Sequence, residues 1–300
     1  MTKLPIGVDI NHLIDDLRIF SWEATDIFLH YYQIVKDKKN IMSNEDFNDP
    51  VTHADIKVNK LIIQRINEKY KNVSWDILSE ENVKLISQKR KFNAEWLWVF
   101  DPLDGTRDFV QGSENYAMHL ALNHKNKPLL GVVLIPSKGE LWITDGKETW
   151  YELSDGMKRN FTKSKKKSFK ELTLVTSKNH KNLVLNSLVE QIKFKKVISM
   201  GSIGCKIVSI LKGESDVYIS LSMPGQNCPK DWDFAAPEAI LRASGGSITD
   251  LNNQDIKYNQ TNYEQGGIIV ASSNQVNHKK LCNYLKDIIR VNDLYPLDYF

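Results

Sequence analysis

Residues Trp96 to Phe109, Trp-Leu-Trp-Val-Phe-Asp-Pro-Leu-Asp-Gly-Thr-Arg-Asp-Phe, constrain the fold more than any other stretch. Five apolar residues, Trp96 to Phe100, are long enough for a buried strand. The chain then places two carboxylates, Asp101 and Asp104, three residues apart on what reads as a tight turn. Pro102 fixes its own φ and Gly105 allows close backbone approach. Thr106 reads as the start of a short helix, whose free N–H groups favour an anion. Two hard oxygen ligands beside such a helix start suit a magnesium-dependent phosphate site. A surface Asp-Gly turn would share this composition, but the apolar strand and the helix start flanking it weigh against that.

A chain of 300 residues can be one large domain or two lobes with a sizeable core. Hydrophobic content of 41% and a formal charge of +3 are those of a soluble globular protein and do not announce nucleic-acid binding. Cys205, Cys228 and Cys282 are widely spaced, which argues against a zinc site or disulfide framework and for a reducing compartment. Asp9, Asp15 and Asp16 interrupt the first apolar segment, so it does not read as a signal peptide. No apolar run approaches the roughly 18 residues of a membrane span. The expectation is a cytoplasmic protein with no membrane partner.

Apolar residues from Ile10 to Val35 recur at helical spacing and predict one long amphipathic helix. A second helix is expected after Asp49-Pro50-Val51, with Thr52 as N-cap, Asp55 as a capping-box acid and Val58, Leu61, Ile62 and Ile66 inward. Strands are expected over 75–79, 116–122, 129–135, 141–144 and 149–152, so the first half reads as helices followed by a largely antiparallel sheet. The polar stretch 154–170, with Lys163, Lys165, Lys166, Lys167 and Lys170, marks a boundary between lobes 1–155 and 156–300. Its lysines read as a solvated loop, or else as a lure for an anionic substrate. The second half alternates: strands over 172–176, 196–199, 217–221 and 268–271, helices over 180–191, 203–211, 234–243 and 275–289. Such alternation argues for an α/β layer.

Acids at the ends of apolar elements recur at Asp55, Glu80, Asp101, Asp104 and Asp233, the pattern from which a binuclear metal site is assembled. Individually, Asp55 and Asp233 read equally as helix caps. Together, Asp49-Pro50-Val51-Thr52-His53-Ala54-Asp55, Ser79-Glu80-Glu81, Asp101-Pro102-Leu103-Asp104-Gly105-Thr106 and Trp232-Asp233-Phe234-Ala235-Ala236 stand in the order and spacing of a known superfamily. Over roughly residues 10 to 285 the chain resembles the inositol monophosphatase-like, magnesium-dependent, lithium-sensitive phosphatases. The resemblance implies an α/β (α+β) fold, a layered α-β-α-β-α sandwich. Within the superfamily the chain is most similar to the 3'(2'),5'-bisphosphate nucleotidase branch, on Asp101 to Phe109, Tyr116 to Leu122 and Gly201-Ser202-Ile203-Gly204-Cys205-Lys206. Those enzymes hydrolyse 3'-phosphoadenosine 5'-phosphate (PAP), a by-product of sulfate assimilation. One departure is Glu114-Asn115 before Tyr116, where many members of that branch carry Gly-Glu.

The resemblance implies these roles. Glu80, Asp101 and the Leu103 carbonyl would hold one Mg²⁺; Asp101, Asp104 and Asp233 a second; and Glu80 would help position a third through water. Asp55 and Thr106 would form a hydrogen-bonded pair that orients a nucleophilic water whose pKa the metal lowers. Gly105 and Thr106 would offer N–H groups to phosphate. Gly201 and Ser202 would offer theirs to the rest of the substrate. Lys206 would pair with a second phosphate, or else snorkel at a helix edge, and Glu81 would support the ligands or lie exposed. The partner is a small phosphate ester, the protein a monomer or homodimer. Inositol or sugar monophosphatase activity, including one like fructose-1,6-bisphosphatase, and a non-catalytic nucleotide sensor are the alternatives.

Overall fold

The computed structural model describes residues 4–5, 7–39, 48–86, 91–161, 167–178, 183–223, 225–274 and 276–296. Helix α1 (Ile10–Lys39) buries Leu13, Leu17, Ala24, Phe28 and Val35 along one stripe. Helix α2 (Asn48–Lys69) lies against it and buries Val58, Ile62 and Ile66. This second helix begins before Thr52, so Thr52 is not its cap. A proline is tolerated in a first helical turn, where its missing N–H has no intrahelical partner to lose. Asp55 consequently sits inside the helix, buried, and not in a capping box.

The first sheet contains β1 (Asp76–Ser79), β2 (Trp96–Asp104), β3 (Ala117–His124), β4 (Lys127–Ile135), β5 (Glu140–Thr144) and β6 (Thr149–Glu152), in that spatial order. Short helices α3 (Glu80–Lys84) and α4 (Thr106–Val110) follow β1 and β2. Only β1 and β2 pair in parallel; the remaining strands are antiparallel. The β3–β4 turn is a two-residue hairpin at Lys125-Asn126, both with positive φ.

The second half supplies β7 (Thr173–Ser177), α5 (Leu183–Ile192), β8 (Lys196–Met200), α6 (Ile203–Leu211), β9 (Val217–Ser222), α7 (Asp231–Ala243), β10 (Ser247–Asp250), β11 (Gly267–Ser272) and α8 (His278–Asn292). Its sheet runs β10-β11-β9-β7-β8, parallel where β7 meets β8 and β9 and antiparallel elsewhere. His180 and Gln275, expected in helices, lie outside the described residues.

Three apolar clusters define the layers. One face of the first sheet, with Trp98, Phe100, Leu120 and Val132, packs on α1 and α2. Its other face, with Leu97, Val99, Ala121 and Val133, packs on α6 and α7, which also cover Tyr218 and Ile269 of the second sheet. The outer face of that second sheet, with Leu174, Ile219 and Val270, packs on α5 and α8. The result is the expected α-β-α-β-α sandwich. Strand β2 is apolar at every position from Trp96 to Phe100 because both of its faces are covered. Likewise, every residue of α6 is buried in the middle layer.

Lys163, Lys165 and Lys166 lie outside the described residues. Lys167 is not part of a solvated loop: its ammonium pairs with the fully buried Asp216 at 2.9 Å. No described helix is long and apolar enough to cross a membrane.

Candidate active site

The expected turn at Asp101–Asp104 is instead the bulged end of β2. Asp101 pairs with His119 and Asp104 with Ala117, so three steps along β2 match two along β3. One extra residue makes a β-bulge, and Pro102, which has no N–H for a ladder, is tolerated there. The bulge brings two residues of one strand end round to a single locus. The Leu103 N–H donates to Asp101 Oδ1 at 3.0 Å, fixing that carboxylate. Gly105 then takes φ +91°, ending the strand and admitting the Asn115 carbonyl so close that a Cβ would lie 2.8 Å from it.

The third acid arrives from α7. That helix begins at Asp231, so Asp233 is a first-turn residue and not the cap. Its Oδ2 accepts the Lys230 N–H at 2.6 Å. Oxygens of Asp101, Asp104 and Asp233 come within 4.8 Å of one another. Asp101 is 1% exposed. Burial, then the charges of Glu80, Asp233 and Asp104, push the Asp101 carboxyl well above its ordinary range. Asp233 is pushed up by burial and then by Asp104. Among the described residues neither has an ion-pair partner. Clustered acids with raised proton affinity and no cation are chemically suited to a hard divalent ion.

Glu80 and Asp55 flank this cluster. Glu80 opens α3, where Lys84 pairs with it at 3.1 Å and with Glu81 at 2.5 Å. Glu81 is thus held by Lys84 and not simply exposed. Asp55 is buried and its Oδ1 has no hydrogen-bond partner. Burial and then Glu80 raise its proton affinity strongly. One turn along α2, the Asn59 amide bridges to β1 and α3: the Ser79 hydroxyl donates to Oδ1, and Nδ2 donates to Asn82 at 3.1 Å. That bridge fixes the helix bearing Asp55 against the one bearing Glu80.

The expected Asp55–Thr106 pair is not made. Thr106 is exposed, and its hydroxyl donates to the Leu103 carbonyl at 3.2 Å, the acceptor left free where the ladder breaks. That carbonyl has a second lone pair for a further partner.

Across the seam, Gly201 and Ser202 are buried at the start of α6. The amides of α6's first turn are used inside the protein. Ile203 N–H donates to Asp104 Oδ2, Gly204 N–H to His119 Nε2 at 3.1 Å, and Cys205 N–H to Ser202 Oγ at 3.2 Å. Lys206 does not snorkel. It is 3% exposed, its ammonium donates to the Ser202 carbonyl at 3.2 Å, and it lies 5.3 Å from the centre of the Tyr218 ring. Burial lowers its pKa, opposed by Asp104, Asp108 and Asp233.

His119 is the site neighbour that sequence reasoning missed. It is wholly buried, opposite Asp101 in register, with Nε2 3.4 Å from Asp104 Oδ2. Its signal was a histidine inside the apolar run 116–122. Burial lowers its pKa, opposed by Asp104.

Comparison with known proteins bears on the family and the fold. The model of the inositol monophosphatase family matches residues 16–290. A 3'(2'),5'-bisphosphate nucleotidase CysQ from Haemophilus influenzae is 25% identical over 249 residues, covering 83% of this chain and 88% of its own. The crystal structure of CysQ from Bacteroides thetaiotaomicron superposes with a TM-score of 0.64 at 23% identity, covering 84% of this chain and 93% of its own. Inositol monophosphatase-II from Staphylococcus aureus gives a TM-score of 0.69 at 21% identity, over 95% and 97%.

Proposed function

We propose that this chain, which belongs to the inositol monophosphatase family and is a metal-dependent phosphatase, removes the 3'-phosphate of PAP to give AMP and inorganic phosphate. The observation that carries phosphate-ester hydrolysis is the convergence of the buried Asp101 with the half-buried Asp104 and Asp233, none of them in an ion pair with a lysine or arginine among the described residues. The nucleotide reading rests on similarity to relatives named as bisphosphate nucleotidases over four-fifths of the chain. A place in the cytoplasm, beside sulfate assimilation, goes with that substrate.

Carboxylates and a backbone carbonyl select Mg²⁺ over softer ions. Glu80, Asp101 and the Leu103 carbonyl would hold one ion, Asp101, Asp104 and Asp233 another, and Glu80 would help position a third. Bound there, Mg²⁺ neutralises phosphate charge and acidifies a coordinated water. The chain's own residues do the rest. Asp55, buried and with an unpartnered oxygen, would take the proton of the attacking water. Gly105 and the exposed Thr106 at the start of α4 face the phosphate with backbone N–H groups. Gly201, Ser202 and Lys206 form the opposite wall, where the buried ammonium contributes positive potential toward the substrate's second phosphate. Water oxygen bonds to phosphorus as its proton passes to Asp55, the phosphorus–O3' bond breaks, and O3' takes a proton from solvent to leave as a hydroxyl.

The test is Mg²⁺-dependent phosphate release from PAP, inositol-1-phosphate and fructose-1,6-bisphosphate side by side. A kcat/KM for PAP at least about a hundredfold higher, about 2.7 kcal/mol of transition-state preference, is expected. Preference for either sugar-like substrate would move the chain to another branch, and silence on all three would make it a sensor.

A further inference from the structure

We infer that His119 is a positioning residue for the metal centre: as a hydrogen-bond acceptor for Gly204, it keeps the first turn of α6 from competing for the Asp104 carboxylate. The inference rests on the reading of Asp104 as a metal ligand.

The geometry is a shared junction. Two consecutive buried amides of α6, Ile203 and Gly204, point at the β2–β3 bulge, and two acceptors meet them, Asp104 Oδ2 and His119 Nε2. Those acceptors lie 3.4 Å apart. A ring nitrogen that accepts an N–H is unprotonated, so the His119 proton sits on Nδ1. Asp104 Oδ2 is committed to the Ile203 N–H, which leaves Oδ1 as the oxygen wholly open to a cation. Were His119 unable to accept, the Gly204 N–H would be a buried donor without a partner, a state that proteins avoid. The Asp104 carboxylate lies only 3.4 Å from the acceptor it would have lost. The second amide would then draw that carboxylate toward α6 and away from Asp101 and Asp233.

The close packing supports a dedicated contact. A Cβ on Gly204 would lie well inside van der Waals contact of the His119 Nε2, so only a glycine lets α6 approach this far. The approach carries a further consequence. With the amides of Ile203, Gly204 and Cys205 all spent within the protein, α6 offers its first turn to the metal ligands and not to a substrate anion.

His119→Gln and His119→Met separate acceptor from bulk, since the two side chains are of similar length and only Gln carries a strong acceptor near the Nε2 position. The measurement is Mg²⁺ binding to the full chain by calorimetry, with no substrate present, alongside thermal unfolding. His119→Gln is expected within about threefold of native affinity. His119→Met should bind roughly tenfold or more weakly, as when a partner behind a metal ligand is lost. Equal losses in both variants, or none in either, would overturn the inference while leaving the phosphatase reading intact. A native chain that takes up no Mg²⁺ would overturn both. If His119→Met does not fold, hydrogen exchange of the native chain decides: Mg²⁺ should slow exchange of the amides opening α6, and unchanged exchange would refute the coupling.

Discussion

Helix α7 carries three acids in its first two turns, and they keep opposite company. Asp231, fully buried, accepts from the Gln265 side chain at 2.5 Å and the Asn259 N–H at 2.6 Å. Glu238, 3% exposed, accepts from the Tyr258 hydroxyl and from Arg242, both at 2.5 Å. Asp233 lies between them in sequence, yet beyond one backbone amide it faces the carboxylates of Asp104 and Glu80. Burying a charge is costly unless donors or an opposite charge repay it. At Asp231 and Glu238 the protein supplies that repayment itself. At Asp233 the carboxylates of Asp104 and Glu80 outweigh the Lys206 ammonium, and the proposed divalent cation would complete the balance. The same helix thus builds part of its packing from satisfied acids and part of a site from unsatisfied ones.

The sharpest way to break this contrast is to remove a charge from each group. Asp101→Asn should lower kcat about a thousandfold or more, about 4 kcal/mol, because Asp101 is the acid read as shared between two ions. Without metal the variant should melt no lower than the native chain, since it relieves repulsion with Glu80, Asp233 and Asp104. Mg²⁺ at a hundredfold excess over Kd should stabilise the native chain by about 2.7 kcal/mol and the variant by much less. Phosphate release together with metal-free and metal-loaded melts would check both limbs; a melting loss comparable to that of a core mutant would mean that Asp101 is structural. Glu238→Ala should behave in the reverse manner. It strands the Tyr258 hydroxyl and leaves Arg242 with its bonds to Asp255 and the Ile248 carbonyl, and should cost about 3 kcal/mol in denaturant unfolding. The folded variant should keep Mg²⁺ affinity and kcat within about threefold, and loss of metal binding would erase the distinction.

How far the sequence speaks also divides along this line. Helix α6 is observed over the expected span, Ile203–Leu211, because its apolar residues are local and its burial is complete. The five layers followed from the resemblance, and the continuous apolar run of β2 already carried their physical reason. What was not legible depended on a partner strand or helix. Asp101 to Asp104 reads as a turn until pairing with β3 carries the strand past Pro102 as a bulge. Thr106 finds its acceptor only because that bulge frees the Leu103 carbonyl. His119 is one polar residue in an apolar run until register sets it opposite Asp101 and packing brings Gly204 against it. Strand β10, with only Ile248 and Thr249 buried, has too short an apolar signature to be read alone. Lys206 reads as a phosphate partner or a snorkelling lysine, and Lys167 as part of a solvated loop or a lure for an anion, because nothing local reveals the Ser202 carbonyl or Asp216 waiting inside.

The finest test of the contrast uses pH on the satisfied side. Burial lifts the Asp231 carboxyl to about 6 even though Asn259 and Gln265 pull it down. Its unfolded value is about 3.8. Between those two values the folded chain holds a proton that the unfolded chain has released, so stability falls as pH rises. The contribution is fully present below pH 3.8 and lost as pH passes through 6, an effect of about 3 kcal/mol, most of it between pH 4 and pH 7. Asp231→Asn imitates the protonated form and cannot ionise. Relative to the native chain it should gain most of that amount between pH 4 and pH 7 in metal-free urea unfolding. Metal should not change the difference, because Asp231 has donors of its own and no claim on the cation. A difference that vanishes with Mg²⁺ would place Asp231 among the metal's acids, and the division along α7 would have to be redrawn two residues earlier.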